Sequence, residues 1–195
     1  MKKLSIIILA LFSQFITLAQ TKWNLDKAHS GIKFAITHLV ISEVEGNFKL
    51  YEGAIETKTA TDFSDAKVDF SVDVNSVNTE NEMRDKHLKS DDFFNAEKYP
   101  SIKFKSVSCK KITAKTFQLE GDLTIRDVTK RVSFDVTYNG NIKDPYGNTK
   151  AGFKASTSIN RLDYKLKWNS LTETGGMVVS EDVRITVNME IALPK

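Results

Sequence analysis

The chain has 195 residues, 41% hydrophobic and 27% charged, with 28 basic residues against 25 acidic for a net charge of +3. Two of the basic residues, Lys2 and Lys3, open the chain; without them 26 face 25, a near-neutral balance that argues against nucleic acid as a partner. A single cysteine, Cys109, excludes an internal disulfide and a thiolate metal cluster, and reads as a small buried side chain on a strand.

Residues 1–19 have the layout of a secretory signal peptide: Lys2 and Lys3, an apolar run from Leu4 extending raggedly to Leu18, and small residues before Gln20. Ser13, Gln14 and Thr17 interrupt the run too often for a membrane anchor. The expectation is a periplasmic or secreted protein whose remaining residues, 20–195, form one domain with a sizeable core.

Beyond the signal, the chain is a succession of period-two runs, the mark of strands with one apolar face. Ile32, Phe34 and Ile36 share a face with His38; Val44, Gly46, Phe48 and Leu50 follow, and Glu52-Gly53 suggests a bend before Ile55. The cleanest run sets Ala66, Val68, Phe70, Val72 and Val74 against Lys67, Asp69, Ser71, Asp73 and Asn75. Ile102 and Phe104 begin the next, reaching Cys109, with a hairpin turn at Thr113–Lys115. Then come Phe117, Leu119, Gly121, Leu123 and Ile125; Val132 to Tyr138; Ala151 to Ile159; and Val183 to Leu193.

One stretch breaks the pattern. From Thr79 to Phe104 the periodicity turns helical, with Thr79 and Glu82 spaced as a capping box, Ser90 and Asp91 as a second N-cap, Phe93-Phe94 as an apolar anchor and Pro100 as the stop. Such a helix among strands lies across a sheet or closes a barrel end. A second irregular region, Ile159 to Val183, contains Trp168, Asn169 and Gly175-Gly176 and has the length of a flap. Its Trp could cover a barrel opening or seal the core.

Eight alternating strands with short connections predict an all-β antiparallel fold, either a two-sheet sandwich or an eight-stranded closed barrel that leaves no edge. The helix is then an insertion between the third and fourth core strands. The inward positions carry about one Phe per strand, Phe34, Phe48, Phe70, Phe104, Phe117, Phe134 and Phe153, which fit a filled core or the wall of a ligand cavity equally.

Catalytic signatures are absent: no nucleophile elbow, no phosphate-cradling loop, no paired His at metal spacing on a helix. His29, His38 and His87 would suffice for zinc if the fold gathered them; apart, each serves as a hydrogen-bonding group. Arg84, Asp85 and Lys86 read as a solvated face, with Arg84 suited to a polar or anionic headgroup if it stands at a barrel mouth.

In several separated motifs the chain resembles the YceI-like family of secreted lipid-binding proteins. These are W-N-L-D-K-A-H-S at Trp23–Ser30, F-x-I-T-H at Phe34–His38, E-G-N-F at Glu45–Phe48 and the long R-D-K-H-L-K-S-D-D-F-F-N-A-E-K-Y-P at Arg84–Pro100. They continue with G-D-L-T-I at Gly121–Ile125, V-T-K at Val128–Lys130, I-N-R-L-D-Y at Ile159–Tyr164, W-N at Trp168–Asn169 and G-G-M-V-V-S-E-D-V at Gly175–Val183. Where the family usually has Gly before V-T-K, this chain has Arg126-Asp127, and Asp tolerates the left-handed turn. The resemblance implies a lipocalin-like barrel that encloses an isoprenoid or long fatty-acyl chain, without catalytic residues, metal or cofactor. It also implies a ligand wall of Phe34, Ile36, Phe48, Phe70, Val72, Phe104, Leu123, Phe134 and Phe153, with His38, Arg84, His87, Trp168 and Asn169 near the ligand or barrel ends. A homodimer and transient contact with a membrane surface are compatible with it. The competing reading is an enzyme or metal protein using His, Arg and Asp residues at a barrel end.

Overall fold

The computed structural model describes residues 20–170 and 177–194. The signal peptide read at residues 1–19 and the Gly175-Gly176 turn lie outside them. In chain order the elements are β1 (Thr21–Leu25), β2 (Gly31–His38), β3 (Ser42–Phe48), β4 (Tyr51–Thr57), β5 (Lys67–Asp73), β6 (Val77–Asn78) and α1 (Glu82–Lys89). The longer strands follow: β7 (Ser101–Lys111), β8 (Thr116–Ile125), β9 (Val128–Lys143), β10 (Thr149–Asn160) and β11 (Val179–Ala192).

The strands trace eight paths. β1 and β2 both run antiparallel to β11, β1 at its C-terminal end through Leu25 opposite Ile191, and β2 along the rest from Asn188 to Val179. One strand path, broken at residues 26–30, therefore closes the barrel against the last strand. β3 with β4, and β5 with β6, are broken in the same way beside it: β3 pairs with β2 and β6, β4 with β1 and β5. From β5 onward, β7, β8, β9, β10 and β11 are each antiparallel to the one before. The closed barrel, not the sandwich, is the fold, and α1 is inserted between the third and fourth paths. Thr21–Leu25 was not among the sequence-read strands, because a five-residue segment with one fully buried residue, Trp23, has no period to read.

The capping expectation needs correction. Asn81, not Thr79, is the N-cap of α1, its Oδ1 accepting from the Arg84 amide at 3.0 Å. Thr79 is buried, and its hydroxyl is engaged by Arg84 and Asp85. Ser90 does not start a second helix: it ends α1, its amide donating to the His87 carbonyl, and Asp91–Phe94 form turns.

Around the lower end, where β4 leaves and β5 enters, the intervening loop turns inward and inserts Phe63. Its ring lies 5.5 Å from Trp23, 5.3 Å from Tyr138 and 4.9 Å from Phe153, an aromatic floor. The loop is tied down by the Asp65 amide donating to the Cys109 carbonyl and the Cys109 thiol donating to the Phe63 carbonyl. Burial pushes that thiol up to about 11, so it stays protonated.

Near this end Lys150 joins the β1–β2 turn to the wall, its Nζ 2.9 Å from Asp26 Oδ2 and 2.7 Å from Glu190 Oε1, with His29 Nδ1 3.0 Å from the same Asp26 oxygen. Hydrogen bonds from Lys150 first, then His29, hold the Asp26 carboxyl down at about 2, against an ordinary 3.8. A depressed carboxyl stabilises the fold fully above its unfolded pKa, and that contribution disappears as pH falls from 3.8 toward 2. Lys150→Met should raise the Asp26 carboxyl toward 3.8 and shrink the stability lost between those two pH values. Carboxyl-carbon NMR titration and thermal melts across that window check both outcomes.

Candidate functional site: a cavity through the barrel

The interior is hollow. A cavity of about 490 Å³ runs from the Phe63 floor to the end covered by α1, well within the size range of ligand pockets. Its wall reaches along β11 from Val179 to Ile191, twelve residue steps. At about 3.4 Å per residue, and with the usual strand tilt, that is roughly 30 Å along the barrel axis. Inward residues such as Phe34, Ile36, Val183, Ile185, Val187 and Met189 are only half-buried, and the area they keep exposed faces this cavity.

Three glycines keep it open. A Cβ on Gly46 would stand 2.3 Å from the Phe34 ring, one on Gly53 would stand 2.4 Å from the Phe70 ring, and one on Gly121 would stand 2.4 Å from the Phe104 ring. The tip of each ring occupies the space a Cβ would need on a glycine of the neighbouring strand, and each ring lines the wall.

Of the sequence-read positions, Phe34, Ile36, His38, Phe48, Phe70, Val72, Arg84, His87, Phe104, Leu123, Phe134, Phe153 and Trp168 stand on the cavity wall. Asn169 does not. Its Nδ2 donates to the Val179 carbonyl at 3.0 Å and its Oδ1 accepts from the Ser170 and Val179 amides, so it fixes the entry to β11. The three histidines are not gathered: His38 and His87 line the cavity, while His29 lies with Asp26 and Glu190. Those three could in principle ligate a cation, but the Lys150 ammonium already bridges the two carboxylates.

The upper end is a lid stapled by arginines. α1 contributes Arg84, His87 and Leu88 to the wall, and the following turn contributes Phe93 and Phe94. Trp168 packs into this lid: the His87 ring stands edge-on to both Phe93 and Trp168, 5.1 Å from each, and Phe93 and Trp168 are 5.6 Å apart. His87 Nε2 is 2.9 Å from Asp92 Oδ2. Asp85 takes no part in that pair; its Oδ1 accepts from the Thr79 amide at 2.8 Å and the Thr79 hydroxyl at 2.6 Å. Arg84 and Asp85 are thus not a solvated face, since both clamp the buried Thr79.

Two arginines that sequence reasoning gave no site role hold the rest. Arg161 is fully buried and donates to the carbonyls of Ser180, Trp168 and Leu166, joining the segment after β10 to the start of β11. Burial lowers its pKa from the ordinary value. Arg126 sits in the β8–β9 turn and is itself the left-handed residue, at φ 56°, where Asp127 was expected to absorb the missing Gly. Its guanidinium donates to the carbonyls of Asp91, Phe93 and Lys165 and to the Asp91 carboxylate at 2.7 Å, over the Tyr99 ring. The departure at this turn is a bond from the barrel to its lid. Apart from I-N-R-L-D-Y, read as a family motif, no sequence signal marks either role, because the acceptors are backbone carbonyls.

A closed eight-path antiparallel barrel around an apolar cavity, with a helical lid at one end, defines a lipocalin-like fold. The family model described as the YceI-like domain matches residues 23–191, and the chain belongs to that family. A UPF0312 protein of Staphylococcus aureus strain MSSA476 is 38% identical over 176 residues, covering 89% of this chain and 98% of that protein. The crystal structure of a YceI protein from Campylobacter jejuni is 37% identical, with a TM-score of 0.72 over 88% of this chain and 98% of that one. Two more distant structures share the fold. One is BcnA of Burkholderia cenocepacia, at 20% identity and a TM-score of 0.74 over 86% of this chain and 99% of that one. The other is a polyisoprenoid binding domain from Saccharophagus degradans, at 15% identity and 0.63 over 90% of this chain and all of that one.

Gly53→Ala should push the Phe70 ring off the wall, costing about 1–3 kcal/mol of stability by overpacking and narrowing the cavity. Adding Phe70→Leu should recover most of the loss. Denaturant midpoints of the single and double variants test it.

Proposed function

We propose that the protein binds one long-chain lipid, an isoprenoid or fatty-acyl amphiphile, in its barrel and keeps it out of water for transport, sequestration or storage. The observation that carries this reading is the cavity wall: apolar over nearly its whole length, long and narrow, with its rings held back by glycines. Each methylene buried contributes about 0.8 kcal/mol, so ten supply about 8 kcal/mol, the scale of a micromolar dissociation constant. The polyisoprenoid binding domain from Saccharophagus degradans, which shares the fold, supports the same ligand class. Binding is favoured over catalysis because Arg161 is committed to backbone carbonyls, His87 is paired with Asp92 and the Cys109 thiol is held protonated.

The signal layout at residues 1–19 supports action in the periplasm or outside the cell. Contact with a lipid bilayer is supported by the β2–β3 turn, where Leu39, Val40 and Ile41 are exposed, the last two above 80%. The turn adjoins the lid end, the Leu39 amide donating to the carbonyl of the wall residue Val178. Leu39 and Val40 hold φ angles of 51° and 63°, where Asn and Gly are the usual residues.

Native mass spectrometry of protein purified from its own source should find one lipid per chain, removable by solvent extraction and regained one-to-one with a polyprenol or fatty acid. Protein that is empty as purified and takes up neither chain would overturn the reading. Val40→Asp with Ile41→Asp should abolish flotation with lipid vesicles while leaving chain binding in solution intact.

A further inference from the structure

The cavity wall carries ionisable groups of one sign only. Lys33, His38, Arg84, His87 and Arg161 line it, together with the protonated Cys109, and not one Asp or Glu among the described residues does. A chain with 25 acidic residues has kept all those described off this surface. In a low-dielectric cavity such an asymmetry favours an anion over a neutral polar group.

Arg84 is the cation placed to use it. Its Nε donates to the Thr79 hydroxyl at 2.8 Å and its Nη2 to the Thr79 carbonyl at 2.7 Å, while Nη1 has no hydrogen-bond partner among the described residues. Asp85 holds the same Thr79 hydroxyl and forms no direct ion pair with the guanidinium, so the fork is oriented through Thr79 with Nη1 left over. The other wall groups are differently placed. Arg161 is consumed by backbone carbonyls, His87 is held by Asp92, His38 ends β2 beside the exposed β2–β3 turn, and Lys33 reaches the wall only from an exposed, outward-facing position. Arg84 also stands at the lid end, opposite the Phe63 floor, where a lipid lying tail-down would leave its head.

We propose that Arg84 is the headgroup receptor of the cavity and that the ligand class is a single-tailed lipid with an acidic head, a carboxylate or a phosphate, bound through Nη1. The proposal rests on the lipid-binding reading above and adds the head to it. Arginine suits this role because it stays charged when desolvated and presents donors in a fixed plane.

The test uses delipidated full-length mature protein and matched pairs of probes, oleic acid with oleyl alcohol and farnesyl phosphate with farnesol, each displacing an uncharged fluorescent dye at neutral pH. The wild-type protein should bind at least one acid about tenfold more tightly than its alcohol, the scale of one charge-assisted hydrogen bond. The pair with the larger preference identifies the head as carboxylate or phosphate. In Arg84→Met the preference should collapse while the alcohol affinity stays within about twofold, as expected for loss of one hydrogen bond and not of packing. Equal binding of acid and alcohol by the wild type overturns the headgroup proposal and leaves lipid binding standing; failure of all four probes overturns both. An equal loss of acid and alcohol in Arg84→Met would make Arg84 a structural clamp only. Since Arg84 also anchors Thr79, the wild-type ratio decides the matter if that variant does not fold.

Discussion

Phe34, Phe70 and Phe104 each set a ring tip against a glycine in the next strand, and the cavity depends on that contact. An eight-stranded barrel is just wide enough for inward side chains to meet and fill it. Large rings on most inward strands would close it unless something let them lean back against the wall. Gly46, Gly53 and Gly121 do this by removing the one atom that would hold the ring off. The ring tip fits into the space left by the missing Cβ, so the chain keeps much of the apolar burial of a Phe core around a cavity. Phe134, standing edge-on to Phe104 at 5.4 Å, is then braced by a ring that is itself braced.

The two ends of the barrel are built differently. The floor is aromatic, Trp23, Phe63, Tyr138 and Phe153 packed ring to ring, with the Trp23 indole donating to Thr57 at 2.9 Å. The lid is held chiefly by arginines donating to carbonyls: Arg126 from the barrel to the Asp91–Phe93 turn, Arg161 from the segment after β10 to the start of β11. Apolar packing of the floor loses free energy with every bit of area exposed, whereas hydrogen bonds to a lid can be exchanged for water at small net cost. The floor is thus closed by ring packing, while the lid adds arginine hydrogen bonds to its own cluster of His87, Phe93 and Trp168.

The barrel was legible because strand alternation is a local property. Ala66 to Val74 and Val183 to Leu193 announce their inward faces without reference to any partner, and the order of the paths follows from short antiparallel connections. Most of the cavity wall was legible for the same reason, although Val74 and Ala151 are inward without lining it and Leu50, read with its run, is exposed. Hollowness was not legible from periodicity alone, which treats Gly46 and Gly121 as mere members of an apolar face and says nothing of the rings above them. Thr79 looked like a helix cap because spacing cannot tell a hydroxyl that caps from one that is clamped; Asn81, two residues later, does the capping. Asn169 stands off the cavity wall although its motif neighbour Trp168 lines it, because its amide is turned to the backbone of β11. Arg126 and Arg161 act on backbone acceptors from distant segments, and no sequence pattern records where a carbonyl will be. Phe63 was hidden in a loop with no period at all.

Leaving a cavity empty has an energetic consequence that binds these features together. The half-buried wall of β2 and β11 keeps apolar area in contact with whatever fills the lumen, and water there lacks hydrogen-bonding partners over most of its surroundings. A bound chain covers that area in the folded state only, so its affinity adds directly to stability by mass action: a hundredfold excess over the dissociation constant contributes about 2.7 kcal/mol. The lid gains from the same chain, because Phe93, Phe94, Leu88 and Trp168 form part of the wall and add contacts to their existing packing when the lumen is filled. The filling of the lumen and the packing of the lid are therefore coupled through the wall residues they share.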